Sequence, residues 1–267
     1  MIPKIIHYCW LSDNPIPAEY QAYINEWKEI MPDYTFKKWD RQAIKLDEHP
    51  FAKEAFDHKK YAFAADYVRA YALYTEGGIY LDSDVKVLKR FDQYLKYSYF
   101  SSIENQLSQT NYKLLINRFI DKQGKRIDNK TCYFLGIQAA ILGAEKGNAL
   151  IGEILDFYKK QSFVDLNGDI FHQLAPIVHA IHAEKYGFVY QDKMQFLKDN
   201  IAIFPSVFFA TKGIRNDVNT VAIHCIQASW VKKDRGIKRF LKRFKFIMDL
   251  HLKWIIITRK AEINLVK

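Results

Sequence analysis

Residues 61–87 read YAFAADYVRAYALYTEGGIYLDSDVKV: a helix-like stretch, two glycines, and a short run ending in two carboxylates. Residues 62–76 are rich in Ala, Leu and Tyr and contain no Gly or Pro, which predicts a helix. Gly77-Gly78 supplies the left-handed stop that helix ends commonly use. Ile79-Tyr80-Leu81 predicts a short strand, and Asp82-Ser83-Asp84 breaks the apolar pattern. A helix rises about 1.5 Å per residue and a strand about 3.3 Å. A tight helix–glycine–strand connection therefore returns Asp82 to about the level of Asp66. Arg69, three residues beyond Asp66, shares its helix face. If residues 82–84 are extended, Asp82 and Asp84 point to one side. Four charged groups then converge where a buried strand ends.

Two carboxylates at one strand end repel each other unless a cation lies between them. A hard divalent ion such as Mn2+ or Mg2+ takes oxygen ligands and shares them with substrate phosphates. Arg69 adds a planar donor fork suited to phosphate or to orienting a carboxylate. Asp66, Arg69, Asp82 and Asp84 are therefore expected to form the floor of a metal–diphosphate site and to carry its chemistry. A solvated Asp-Ser-Asp turn beside a surface helix pair is the alternative reading.

Around this stretch the chain alternates strands and helices, the pattern of an α/β fold. Residues 4–10 (KIIHYCW) predict a buried strand that opens onto a loop with Asp13-Asn14-Pro15, where α/β proteins place nucleotides. Trp10 at that mouth is either a base-stacking or a core residue. Helices are expected over 19–30, from Asp40 until Pro50 interrupts, over 51–58, 149–160 and 169–186, the last with Pro176 near its start or as a kink. Strands are expected over 34–39, 85–88, 134–143, 202–209 and 221–226. Residues 98–130 are polar and the least readable; strand fragments and a long acceptor-facing loop are expected there. His224 lies in an apolar strand, either as a core residue or as a third ligand or diphosphate contact.

The chain has 267 residues, of which 49% are hydrophobic, enough for one large domain or for one domain plus an appendage. Its net charge of +10 is uneven: residues 231–267 hold twelve Lys or Arg against three Asp or Glu, and residues 1–230 are nearly neutral. A general nucleic-acid-binding role is thereby excluded, since only the tail needs an anionic partner. Within it Ile237, Phe240, Leu241, Phe244, Met248, Leu252 and Ile255 recur at helical spacing, with Lys and Arg between them. Residues 237–255 are expected to lie on an anionic membrane surface, or else to pack on the domain with a solvated basic side. The expected division is a catalytic domain over 1–230 and a basic amphipathic tail over 231–267. Cys9, Cys132 and Cys225 have no metal or redox spacing and suit reduced thiols. With no signal-peptide pattern and no apolar run of membrane-spanning length, the expectation is a cytoplasmic protein peripheral to the membrane.

Four segments together resemble glycosyltransferase family 32, the D-x-D family of polysaccharide and outer-chain mannosyl transferases. They are IPKIIHYCW (2–10), AFAADYVRAYALYTEGGIYLDSDVKVL (62–88), ILGAEKGN (141–148) and TVAIHCIQASW (220–230). The resemblance implies a GT-A type, Rossmann-like mixed sheet flanked by helices. It implies a retaining enzyme that uses Mn2+ or Mg2+ to move a hexose or N-acetylhexosamine from a UDP- or GDP-sugar to a glycan acceptor. That acceptor would be a lipid-linked capsular or surface polysaccharide intermediate. By matching positions, Trp10 would stack on the base, and Asp66, Arg69 and Asp82 would hold ribose and sugar. Asp82 and Asp84 would hold the metal as well as ribose and sugar, Asp84 more directly, with His224 as the third ligand. His224, Ser229 and Trp230 would close over the diphosphate, with His7, Tyr80 and Gln138 also on the donor side. The chain departs from the family at Gln138-Ala139-Ala140, where relatives carry asparagines, and at His224-Cys225, where His-His is usual. Two rivals remain: a GT-A-fold protein that binds glycan or membrane without turnover, and an aspartyl-phosphate phosphohydrolase, whose D-x-D belongs on a first strand.

Overall fold

The computed structural model describes residues 1–105, 116–128, 131–132, 134–166, 168–171, 173–211 and 217–225. The tail beyond residue 230 lies outside them. In chain order the elements are β1 (Ile5–Cys9), α1 (Ala18–Ile30), β2 (Thr35–Trp39), α2 (Arg41–Ile44), α3 (Pro50–Asp57), α4 (Tyr61–Glu76), β3 (Gly78–Leu81), β4 (Val85–Val87), β5 (Tyr99–Asn105), β6 (Leu135–Ile137), β7 (Ile141–Ala144), α5 (Ala149–Lys159), α6 (Ala175–Ala183), β8 (Gln195–Leu197), β9 (Ile201–Phe204), β10 (Phe209–Thr211) and β11 (Ala222–His224).

Local chemistry explains several boundaries. The Asp40 carboxylate caps α2 by accepting from the Gln42 and Ala43 N–H groups, and the Asn148 side chain caps α5 through Ile151 N–H. Pro50 sits in the first turn of α3, where its missing N–H costs nothing. Gly77 and Gly78 take φ of +70° and +116° between α4 and β3. A Cβ on Gly78 would lie 2.7 Å from the Ile5 carbonyl, so strained conformation and close packing both demand glycine there.

The main sheet has strand order β2-β1-β3-β7-β5-β9-β8, with β6 paired to β5. β1 is parallel to β2 and β3, β5 is parallel to β9, and β7 is antiparallel to both β3 and β5. β1, β3 and β5 thus run the same way, and their C-terminal ends share one edge of the sheet. A second sheet, β10-β11-β4, joins β11 antiparallel to β4. The core includes Ile24 and Trp27 of α1, Ile79 and Leu81 of β3, Val85, Phe91, Phe100, Phe204 and Phe209. Trp27 satisfies its indole N–H on the Val85 carbonyl at 2.9 Å, which locks α1 to the strand that follows the Asp-Ser-Asp segment.

This is the expected α/β mixed sheet flanked by helices, but several segments differ from their expected form. Residues 82–84 are a turn closed by Val85 N–H on the Asp82 carbonyl at 3.0 Å, not an extended segment. Residues 134–143 form two strands, because Gln138-Ala139-Ala140 turns the chain. Residues 202–209 also divide, at Pro205, between strands of different sheets. The helix expected over 169–186 is confined to Ala175–Ala183, with Pro176 in its first turn. Within 98–130, β5 is a seven-residue strand near the sheet centre.

Candidate active site

Arg69 is the hub of the site. On α4, three residues past Asp66, it faces the edge where β3 ends. Its Nη2 donates to Asp66 Oδ1 at 3.0 Å and to Asp82 Oδ1 at 3.3 Å. Its Nη1 donates to the Ala139 carbonyl at 2.5 Å and its Nε to the Ala65 carbonyl at 3.4 Å. Beneath it lies the buried Tyr80 ring, 4.9 Å from the guanidinium. Burial opposes the charge on Arg69, but Asp82 and Asp66 outweigh that and raise its pKa. Of the two uses its fork could serve, the structure shows it orienting carboxylates.

Asp82, Asp84 and His224 form a second group, with one potential ligand atom from each lying within 4.8 Å of the others. His224 Nε2 is 3.4 Å from Asp84 Oδ1 and 3.9 Å from Asp82 Oδ2. The backbone builds this proximity: His224 is paired with Val85 across β11 and β4, and Cys225 N–H donates to the Asp84 carbonyl at 3.0 Å. Two carboxylates and an imidazole suit Mn2+ or Mg2+ with part of the coordination left to phosphate or water. His224 Nδ1 is buried with no hydrogen-bond partner among the described residues. Burial lowers the His224 pKa, but its hydrogen bond to Asp84 and the charges of Asp84 and Asp82 prevail, so the net shift is upward. A cation bound here would compete with that proton.

The other expected residues fall into distinct places. Trp10 follows β1, half-buried, with its indole N–H on the Asn14 carbonyl at 2.7 Å and its ring against Tyr20. His7 is corrected to a packing residue. It is fully buried, its Nδ1 accepts from Trp39 Nε1 at 3.0 Å, and Nε2 therefore donates to the Gly77 carbonyl at 2.7 Å. Neither nitrogen remains for a donor. Tyr80 is buried under Arg69. Gln138 is a strut: its amide oxygen accepts from Ala140 N–H at 3.0 Å, and its amide nitrogen donates to Thr211 Oγ1 at 3.2 Å. It shapes the turn whose Ala139 carbonyl holds Arg69 and whose Ala140 carbonyl accepts from Asp82 N–H. Ser229 and Trp230 lie outside the described residues.

Two residues were not found by sequence reading. Thr211 joins through Gln138 and is paired with His224 across β10 and β11. Glu104 ends the buried part of β5, with a charge that acts on both Asp66 and His224. No short-range pattern marks either of them.

Burial raises the Asp66 pKa to about 7, against the opposing pull of Arg69, with Asp82 and Glu104 adding to the rise. The unfolded value lies near 3.9, so between these values the folded state binds more protons. Asp66 therefore opposes folding increasingly as pH rises from about 4 to 7, and fully above that. In Asp66→Asn, stability measured by urea unfolding should fall less steeply with pH over that window; an unchanged slope would show that Asp66 titrates normally.

Residues 17–101 match the family model described as a glycosyltransferase sugar-binding region containing the DXD motif, which bears out over that span the resemblance read from the sequence. An inositol phosphoceramide mannosyltransferase of Schizosaccharomyces pombe is 34% identical over 100 residues, 36% of this chain and 28% of its own length. A mannosyl phosphorylinositol ceramide synthase of Saccharomyces cerevisiae is 29% identical over 115 residues, 42% of this chain and 30% of its own. An uncharacterized glycosyltransferase of Acanthamoeba polyphaga mimivirus is 36% identical over 108 residues, 38% of this chain and 42% of its own. The chain thus spans under half the length of these relatives. Among solved structures, the PaToxG glycosyltransferase aligns with 69% of each chain at 16% identity and a TM-score of 0.46. The galactosyltransferase LgtC, in complex with donor and acceptor sugar analogs, covers 89% of this chain and 94% of its own at 13% identity and a TM-score of 0.45.

Proposed function

We propose that the chain is a GT-A-type glycosyltransferase that moves a hexose from a nucleoside-diphosphate sugar to a hydroxyl of a lipid-borne acceptor. The observation that carries this reading is the shared use of Asp82, which Arg69 holds through one oxygen while the other faces His224 and Asp84. Such a floor suits a diphosphate leaving group, which needs fixed positive charge where its own charge develops. A divalent cation held by Asp82, Asp84 and His224 would neutralise that charge. Arg69 keeps Asp66 and Asp82 in place, Trp10 offers an aromatic surface where β1 opens, and the Gln138 strut shapes the 138–140 turn, whose carbonyls accept from Arg69 and from Asp82 N–H. The displacement is read as same-face: the acceptor oxygen bonds the anomeric carbon, and the leaving phosphate oxygen takes the bond's electron pair and the acceptor's proton.

Mannose is the first sugar to test, because the fungal relatives are named for mannosyl transfer. Their names also favour an inositol phospholipid over a capsular intermediate as acceptor. Attachment to an anionic membrane through residues 237–255, with the chain peripheral at the cytoplasmic face, remains part of the proposal; no described helix is long and apolar enough to cross a membrane. An aspartyl-phosphate mechanism is disfavoured, since Asp82 follows the third strand and is engaged by Arg69. A panel of UDP- and GDP-sugars, GDP-mannose first, should reveal hydrolysis that depends on Mn2+ or Mg2+. Release of phosphate from simple phosphate esters, with every sugar nucleotide left intact, would replace this reading by the phosphohydrolase.

A further inference from the structure

His224 lacks the anchor that a metal-binding imidazole normally has. In such a histidine one ring nitrogen faces the cation, and the other donates to a carboxylate, a carbonyl or a water that fixes the ring. Here Nε2 lies 3.4 Å from Asp84 Oδ1 and 3.9 Å from Asp82 Oδ2. Nδ1 is buried without a hydrogen-bond partner among the described residues. The direction of the ring therefore rests on the backbone of β11 and on the strands either side of it.

Those two strands differ. On one side His224 is paired with Val85 of β4, which is buried in the core and whose carbonyl accepts from the Trp27 indole. On the other side it is paired with Thr211, the last residue of β10. Paired residues of neighbouring strands place their side chains on one face, so the Thr211 hydroxyl and the imidazole share a face of the small sheet. Two side-chain hydrogen bonds tie β10 to the main layer. Ser102 Oγ donates to the Phe209 carbonyl at 3.2 Å, and Gln138 Nε2 donates to Thr211 Oγ1 at 3.2 Å. The first holds the buried start of the strand, and the second holds its half-buried end beside His224.

Gln138 sets the direction of that second bond. Its amide oxygen is taken by Ala140 N–H at 3.0 Å, so the atom that meets Thr211 is the nitrogen, and the hydroxyl is the acceptor. Gln138 is 1% exposed, so losing that acceptor would strand a buried donor. Its own backbone is held twice by β5: its N–H donates to the Ser102 carbonyl at 2.8 Å, and its carbonyl accepts from Ser101 Oγ at 2.6 Å. A fixed strut on the main layer thus grips the small sheet at the residue in register with His224.

We propose that Thr211 is a positioning residue for the metal site. By accepting from Gln138 it holds the end of β10 and, through the β10–β11 pairing, the His224 ring at the angle that meets a cation shared with Asp82 and Asp84. Its part is to keep the ligand in place before the cation arrives. The inference rests on the transferase reading with a divalent cation at this site.

Full-length wild type, Thr211→Val, Thr211→Ser, Gln138→Leu and the Thr211→Val, Gln138→Leu double variant are compared in three ways. These are Mn2+ titration calorimetry, melting temperature without metal, and hydrolysis of GDP-mannose over a range of Mn2+ concentrations. Thr211→Val keeps the shape and removes the acceptor, so the Kd for Mn2+ should rise about tenfold. The Mn2+ concentration for half-maximal hydrolysis should rise with it, while kcat at saturating Mn2+ stays near the wild-type value. Thr211→Ser keeps the hydroxyl and should bind Mn2+ as wild type does. Gln138→Leu should also weaken Mn2+ binding, and adding Thr211→Val to it should weaken it no further, because the two act through one bond. Thr211→Ala removes the same hydroxyl should the valine variant not fold. Wild-type Mn2+ affinity in a folded variant without the hydroxyl would overturn the proposal, even if its melting temperature falls. So would a serine variant as weak as the valine one, or losses that add in the double variant. Wild type that binds Mn2+ but turns over no sugar nucleotide would remove the transferase reading, and calorimetry alone would then decide the role of Thr211.

Discussion

Asp84→Ala is expected to abolish tight divalent-cation binding and to lower sugar-nucleotide turnover by about a thousandfold, the equivalent of about 4 kcal/mol of transition-state stabilisation. Asp84 faces His224 Nε2 at 3.4 Å, and its backbone carbonyl is anchored by Cys225 N–H. Removing the carboxylate leaves Asp82 and His224 3.9 Å apart, with one negative charge where two were available to a cation. The fold should be spared, because the side chain is at the turn rather than in the core and its loss relieves repulsion between carboxylates. The check is Mn2+ titration calorimetry beside turnover and thermal melting, with Asp84→Asn to separate charge from ligand oxygen. Metal-dependent turnover that survives Asp84→Ala would dissolve the Asp82–Asp84–His224 assignment.

Arg69→Met should have the largest effect on stability, a loss of about 3–5 kcal/mol at neutral pH. The guanidinium is buried and holds Asp66, Asp82 and the Ala139 carbonyl together. A methionine of similar reach fills the volume but leaves two carboxylates facing each other and a carbonyl without its donor. Arg69→Lys restores the charge without the planar fork and cannot reach all three partners at once, so it should fall between. Urea unfolding at pH 7.5 reads both. A loss under about 1 kcal/mol for the methionine variant would mean that the pair contributes little net stability, as some buried ion pairs do. Activity should still be lost in that case, because Asp82 would no longer be oriented.

The two variants test two halves of one site that meet at Asp82. Its first half comes from α4 and the 138–140 turn, and its second from the small sheet that carries His224. Gln138 and Thr211 join these halves through a single hydrogen bond. Where the resemblance leads us to expect asparagines, Gln138 therefore acts as a brace between the two layers.

The helix–glycine–strand core of the site was legible because its signals are local. Helical spacing placed Asp66 and Arg69 on one face, and the glycine pair forced the return that brings Asp82 beside them. The convergence of Asp82 with Asp84 was anticipated for the wrong local reason, since a turn and the β4–β11 pairing bring the acidic groups to His224. β5 is only an unplaced strand fragment in the sequence because Ser101, Ser102 and Glu104 look like loop residues. Their burial comes from remote partners: Ser101 donates to the Gln138 and Ile141 carbonyls, and Ser102 to the Phe209 carbonyl. His7 failed in the opposite sense, as a polar residue in a strand that looked available and is fully bonded inside.

Local spacing is enough to fix the alternation of elements, the glycine-bounded turn and the acidic–basic floor, because each depends on residues within about twenty positions of one another. Which distant groups meet that floor depends on how the strands are ordered and registered in the folded chain. That arrangement set His224, open between a core and a ligand role, beside Asp82 and Asp84 through the β4–β11 pairing, joined Thr211 to Gln138, and buried His7 between Trp39 and the Gly77 carbonyl. Those positions follow from strand order and register, and the physical forces that set them act between residues far apart in the chain.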